Sequence, residues 1–148
     1  TRVDILSDIE ASKMLVSKAE VYQIDDSVSL SSGIRTDIGG NEFSGILFTG
    51  RGRVTFLLNG EYKKMKGIAH VAKESRNDCS GILYIYKTDK NGETTPVHES
   101  KDLTKISGVD DFSNGCDIEG AVLLTIESRS SQGDVLDIII SDVYFYND

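Results

Sequence analysis

The sequence predicts an all-β protein, two antiparallel sheets packed as a sandwich, and three observations carry that expectation. Branched residues dominate, with 15 Ile, 11 Val and 9 Thr against 5 Ala, and branched side chains lose less rotamer freedom in strands than in helices. Apolar residues recur at period two in short runs separated by Gly, Asn and Asp, the pattern of antiparallel strands joined by tight connections. Helical spacing is confined to the first twenty residues. About eight or nine short strands with hardly any helix bury their apolar faces most economically between two sheets. A chain of 148 residues can build one ordinary core without metal or disulfide staples, so residues 1–148 are read as one domain.

In chain order, Ser7 followed by Glu10 has the spacing of a capping box, and Ile9, Met14 and Leu15 follow it, which predicts a helical turn within 1–20. AEVYQI at 19–24 reads as a strand, and DDSVSLSSGIRTDIGGNEFSG as a long polar connection with room for a short strand around Val28 to Leu30. Strands are then expected at 45–48, 53–58, 66–72, 81–87 and 94–100. In RVTFLLNG, Val54, Phe56 and Leu58 face one way and Thr55 and Leu57 the other, before a turn at Asn59-Gly60. Asn91-Gly92 suits a primed hairpin turn, which needs positive φ. The last third carries strands at 116–118, 121–127 and 134–146, and the apolar phase shifts around Ser141-Asp142, which predicts a bulge or bend. Tyr84 with Tyr86 and Tyr144 with Tyr146 are spaced for core or cross-strand packing, whereas Tyr62, just after a turn, reads as surface-facing.

Composition removes several functions. A net charge of −8 and a pI near 4.7 oppose binding to a line of phosphates, so no nucleic-acid partner is expected, and Lys63, Lys64 and Lys66 read as a solvated face. No run approaches the length of a membrane helix, so no membrane insertion is expected. The start, TRVDILSD, has no signal-peptide order, and a beginning at Thr1 suits a processed chain or an excised module. Cys79 and Cys116 are too few for structural zinc; a bridge between them would stabilise by roughly 4 kcal/mol on chain-entropy grounds, and two separate buried thiols fit equally well. His70 and His98 lack HExxH spacing and read as structural or surface residues. Nucleophile-elbow and phosphate-loop motifs are absent, and neighbouring acids such as Asp25-Asp26 and Asp110-Asp111 define no catalytic pair, so no enzyme is expected. No cofactor is expected, although loop carboxylates leave room for a structural calcium; Asp89, Asn91 and Glu93 lack EF-hand spacing. With no Trp, any aromatic platform for a sugar must come from Tyr or Phe.

The order of three segments carries a resemblance. VTFLLNGEYKKMKGIAHV at 54–71, GILYIYKTDKNGETTPVHES at 81–100 and CDIEGAVLLTIES at 116–128 are together similar to the NPCBM domain, a galactose-binding-like β-sandwich that accompanies glycosidases. The opening ILSDIEASKM is similar to the "LSDL" start of relatives in Gram-positive bacteria, and the match spans roughly residues 3–146. The resemblance implies a galactose-binding-like jelly roll and a non-catalytic bacterial carbohydrate-binding module, secreted or at the cell surface. It also implies attachment to a larger multidomain protein. Gly60 and Tyr62 carry over as parts of the strand-turn signature. Where the family has an Asp-His pair and a Trp near its C-terminus, this chain has Asp137 followed by Ile138, Ile139, Ile140, Ser141 and Asp142.

The expected function is therefore recognition of a glycan or cell-wall polysaccharide by polar loops at a sandwich end. The candidate residues are Asn41 and Glu42 in the 37–44 loop, Asn77 and Asp78, Arg129 and Gln132 in the 129–134 loop, and the ring of Tyr62. The competing expectation is a structural or protein-interaction sandwich of a surface protein, with no sugar site.

Overall fold

The computed structural model describes residues 13–75, 79–106, 108–130 and 136–147. Among them, β1 (Lys13–Leu15) and a 3-10 turn (Val16–Lys18) lead into β2 (Glu20–Ile24), β3 (Val28–Thr36), β4 (Glu42–Thr49), β5 (Gly52–Leu57) and β6 (Lys64–Val71). There follow β7 (Ser80–Thr88), β8 (Thr94–Glu99), β9 (Leu103–Thr104), β10 (Val109–Asp111), β11 (Cys116–Asp117), β12 (Leu123–Ser130) and β13 (Asp137–Tyr146). One sheet runs β10-β6-β13-β4-β3, with β1 on β13 and β11 on β6; the other runs β2-β5-β12-β7-β8, with β9 on β7. Every pairing is antiparallel, so the expected all-β two-sheet sandwich is what the chain forms.

The core sits where period-two alternation puts it. Val54, Phe56, Leu83, Ile85, Leu124 and Ile126 point inward from one sheet and meet Ile46, Phe48, Met65, Ala69, Ile138, Ile140 and Phe145 from the other. The Phe56 and Phe145 rings pack edge-on at 5.6 Å between centroids, a favoured arrangement for aromatic quadrupoles. Tyr62 departs from expectation. It is half-buried and leans on the core with its ring 6.1 Å from that of Phe145.

Several elements differ from the sequence reading. Ser7, Ile9 and Glu10 lie outside the described residues, but Met14 and Leu15 belong to β1, paired with Phe145 and Tyr144 rather than coiled. The polar stretch read mainly as a connection is β3, nine residues long, paired with β4. It lies at the sheet edge, where polar side chains and an open ladder are tolerated. The strands β9 and β10 are too short to leave a periodic trace. The bulge expected in the last strand occurs between Ser141 and Tyr144, with Asp142 at φ 54°. Asn59 and Gly60 both adopt positive φ, 55° and 74°. At Asn91-Gly92 only the glycine does: the Asp89 carbonyl accepts the Gly92 N–H at 3.0 Å and the Asp89 N–H donates to Glu93 at 2.9 Å, a three-residue loop rather than the primed turn expected. Cys79 is buried and Cys116 half-buried, and both are free thiols; the bridge that composition allowed is not made.

One feature positions the site. β13 pairs with β4 only from Ile46 to Thr49, and beyond Gly45 the β3–β4 hairpin turns back over the outer face of its own sheet. Gly45 sits at φ 154°, and a Cβ there would run into the Ile140 carbonyl, so the crossing requires glycine. The folded arm is tied down at three places. Lys73 donates its backbone N–H to Thr36 at 2.9 Å, Arg35 Nε approaches Asp137 Oδ2 at 3.5 Å, and the Phe43 ring stacks on His70 at 3.6 Å.

Candidate glycan-binding site

Alternation along β6 turns Met65, Gly67, Ala69 and Val71 to the core and leaves Ile68 and His70 on the outer face. His70 is nevertheless only 8% exposed, because the arm lays Phe43 across its ring. Neither Nδ1 nor Nε2 has a hydrogen-bond partner. Leaving such a buried group unsatisfied costs about 1–3 kcal/mol. The imidazole lines a hollow of about 130 Å³ together with Asp37, Gly39, Lys105 and Gly108, and Ile38, Ile106 and Val109 form its apolar rim. Those three rim side chains are all exposed, Ile106 by 87%.

Burial lowers the His70 pKa, outweighing the opposite pull of Asp37, Asp111 and Asp142. The ring is therefore neutral at pH 7 and offers one N–H donor and one lone-pair acceptor. The hollow's acidic wall is held by its own turn. Asp37 Oδ1 accepts the Asn41 backbone N–H at 2.9 Å and Oδ2 the Asn41 side-chain amide at 3.3 Å. The backbone bond from Asn41 leads the causes that lower the Asp37 pKa. A neutral donor-acceptor ring, a carboxylate and an apolar rim can together take up a sugar hydroxyl pair and the ring's C–H face.

Beside this hollow, Asp137 ties neighbouring loops together. Its N–H donates to Ser75 Oγ at 2.9 Å, its carbonyl accepts the Ala72 N–H at 2.9 Å, and its carboxylate faces Arg35. Burial raises the Asp137 pKa, opposed by the Arg35 charge. At the open edge of the sandwich, His98 Nε2 and Asp110 Oδ2 lie 2.7 Å apart and connect β8 to β10, with the Phe112 ring 5.1 Å from the imidazole. That pair fastens the two sheets.

The outer face of the second sheet carries another polar and aromatic group. Arg129 stacks its guanidinium on the Tyr84 ring at 4.1 Å and donates from Nε to Glu127 Oε2 at 2.6 Å. Tyr86 donates its hydroxyl to Glu127 Oε1 at 3.2 Å.

The sequence candidates are divided between these places. Asn41 braces Asp37 at the His70 hollow; Glu42, exposed, begins β4 beside it. Arg129 belongs to the other sheet's face, and Tyr62 packs into the core, away from both. Asn77, Asp78 and Gln132 lie outside the described residues. Sequence reading missed Phe43, Asp37 and His70 as a group, since only the folded arm joins them. Tyr84 and Tyr86 carried a usable signal, because they alternate with the core residues Leu83 and Ile85 and so face outward. Among the described residues no three His, Cys, Asp or Glu side chains gather to hold a metal ion. Among the described residues no helix is long and apolar enough to cross a membrane.

No protein-family model matches the chain, and no curated protein matches it in sequence. Solved structures do resemble it. The CBM51-2 and INT domains of ZmpB from Clostridium perfringens superpose with a TM-score of 0.71 at 11% identity, over 91% of this chain and 31% of that one. The same pair with CBM51-2 in complex with GlcNAc gives 0.68 at 11% identity, again over 91% and 31%. A structure of the ZmpB M60 catalytic domain with CBM51-1 and CBM51-2 gives 0.68 at 12% identity, over 91% of this chain and 15% of that one. This chain thus spans less than a third of each larger protein it matches. What it shares with them is a two-sheet β-sandwich fold.

Proposed function

We propose that the chain is a non-catalytic carbohydrate-binding module, working outside the cell as one unit of a larger protein, and that it takes the end of a glycan chain in the His70 hollow. One observation carries the reading: a nine-tenths-buried imidazole, unbonded at both nitrogens, faces a solvent-open hollow rimmed by exposed Ile38, Ile106 and Val109. A sugar hydroxyl bound to one of these nitrogens would recover part of the cost of leaving the ring bare. A hollow of about 130 Å³ suits one terminal ring better than a chain interior. The fold shared with carbohydrate-binding modules, one of them solved with GlcNAc, and the NPCBM resemblance support the same class. The departure from that family at Ile138 shifts the expected contacts to His70 and Asp37.

Titration of the labelled protein with GlcNAc and with galactose, followed by NMR, tests this. The amides of Gly39, His70 and Val109 are expected to shift with millimolar affinity, as weak as a single ring permits, and His70→Phe is expected to abolish the shifts while the spectrum stays dispersed. No shift with either sugar, or equal shifts in His70→Phe, overturns it. The 87% exposure of Ile106 favours a protein partner as the second reading, which an unresponsive but folded protein would advance.

A further inference from the structure

We infer that the outer face of the second sheet is a separate binding groove for a linear acidic polysaccharide, one carrying carboxylates along its length. Two hollows lie on this face. One, about 580 Å³, is lined by Tyr84, Tyr86, Thr94, Pro96, Glu99 and Arg129; the other, about 550 Å³, by Asp25, Arg51, Arg53, Glu127 and Arg129. Arg129 lines both, so the two hollows abut at its side chain and together span the face from β8 across β7 and β12 to β5. Three strand spacings make that roughly 14 Å, long enough for a short run of linked pyranose rings.

The chemistry is divided along the groove. At the β8 end, Tyr86 and Pro96 offer flat apolar surface to the C–H faces of sugar rings, while Tyr84 backs the Arg129 guanidinium. At the β5 end, the described lining carries three guanidinium groups against two carboxylates, in a protein whose net charge is −8; the third carboxylate of the groove, Glu99, stands apart at the β8 end. Both carboxylates are already engaged. Asp25 Oδ2 accepts the Arg53 backbone N–H at 3.0 Å, and Glu127 holds Arg129 and Tyr86. Arg129 spends Nε on Glu127, and Arg51 spends Nε on the Ser130 carbonyl at 3.1 Å. The Nη pairs of both remain as donor forks matched to a carboxylate. The Tyr84 stack and the Glu127 bond set the Arg129 plane before any ligand arrives, which lowers the cost of ordering it. This groove lies on the opposite sheet from the His70 hollow and does not depend on it.

The probe is tetragalacturonate, with cellotetraose as its neutral match and tetraglutamate as a peptide of equal charge, each titrated by NMR. Tetragalacturonate is expected to shift the Tyr84, Tyr86, Arg53 and Arg129 amides, to weaken as salt is added, and to lose about tenfold or more in affinity in Arg129→Ala and in Tyr84→Ala. The variants' folding is checked by an unchanged His70 region of the spectrum. Three outcomes each overturn the proposal: no shift with tetragalacturonate, equal binding of cellotetraose, or equal binding of tetraglutamate, which would assign the groove to a protein partner. Failure here with GlcNAc or galactose still bound at His70 would leave the proposed function standing.

Discussion

His70 is the residue at the centre of the proposed site, and its environment makes a pH signature. Its folded pKa lies below the ordinary histidine value near 6.5 because burial penalises the charged ring. As pH falls below that ordinary value the unfolded chain takes up a proton that the folded chain refuses. The stabilising contribution is therefore whole above about 6.5 and is lost as pH drops through the folded pKa. Thermal melts between neutral and mildly acid pH should show a decline in the wild type that is shallower in His70→Phe, whose ring keeps the stack on Phe43. Asp137, pushed up by burial, acts in the opposite sense, losing its contribution as pH rises through its raised value; the difference between the two proteins removes it. The same slope in both would show that His70 is not the titrating group. Sequence phase alone was enough to put His70 off the core face, since Gly67, Ala69 and Val71 occupy the other. What it could not give was the cover, because Phe43 reaches it from 27 positions away.

At the level of the elements, two glycines separate a packing constraint from a backbone one. Gly92, at φ 80° in the 89–93 loop, has nothing within reach of an added Cβ, so Gly92→Ala should cost only the left-handed penalty, about 1–2 kcal/mol. Gly45→Ala meets the Ile140 carbonyl and must displace a strand. It should cost more than Gly92→Ala in urea denaturation and speed amide exchange at Lys73, whose bond to Thr36 closes the arm. Equal costs would mean that the arm yields freely. Strands with strong alternation, such as 53–58 and 81–87, were legible because one face is core and the other is not. The arm was illegible for the converse reason: none of its residues 34–45, IRTDIGGNEFSG, is buried, and its position is decided by Gly45 and by contacts with Asp137 and His70. Loop polarity pointed to Asn41 and Arg129 alike, yet it could not say that they lie on different faces.

For the molecule as a whole, stability comes from the sandwich core and needs no covalent staple. Cys79 and Cys116 are free, and the Cys116 thiol is pushed up by burial and by Asp110, which suppresses the thiolate that would attack a partner sulfur. Reductant should therefore leave the melting temperature unchanged; a drop on reduction would reveal a bridge. The remaining consequence belongs to the pairing of the first described strand with the last. Lys13 lies opposite Tyr146, and Lys64 opposite Tyr146 on the other side, whereas His70 is six residues further along β6, roughly 20 Å away. The first residue of β1 and the last of β13 thus lie side by side at one pole of the sandwich, and His70 lies toward the other. A substitution at Lys13 or Tyr146 is therefore separated from His70 by most of the length of β6.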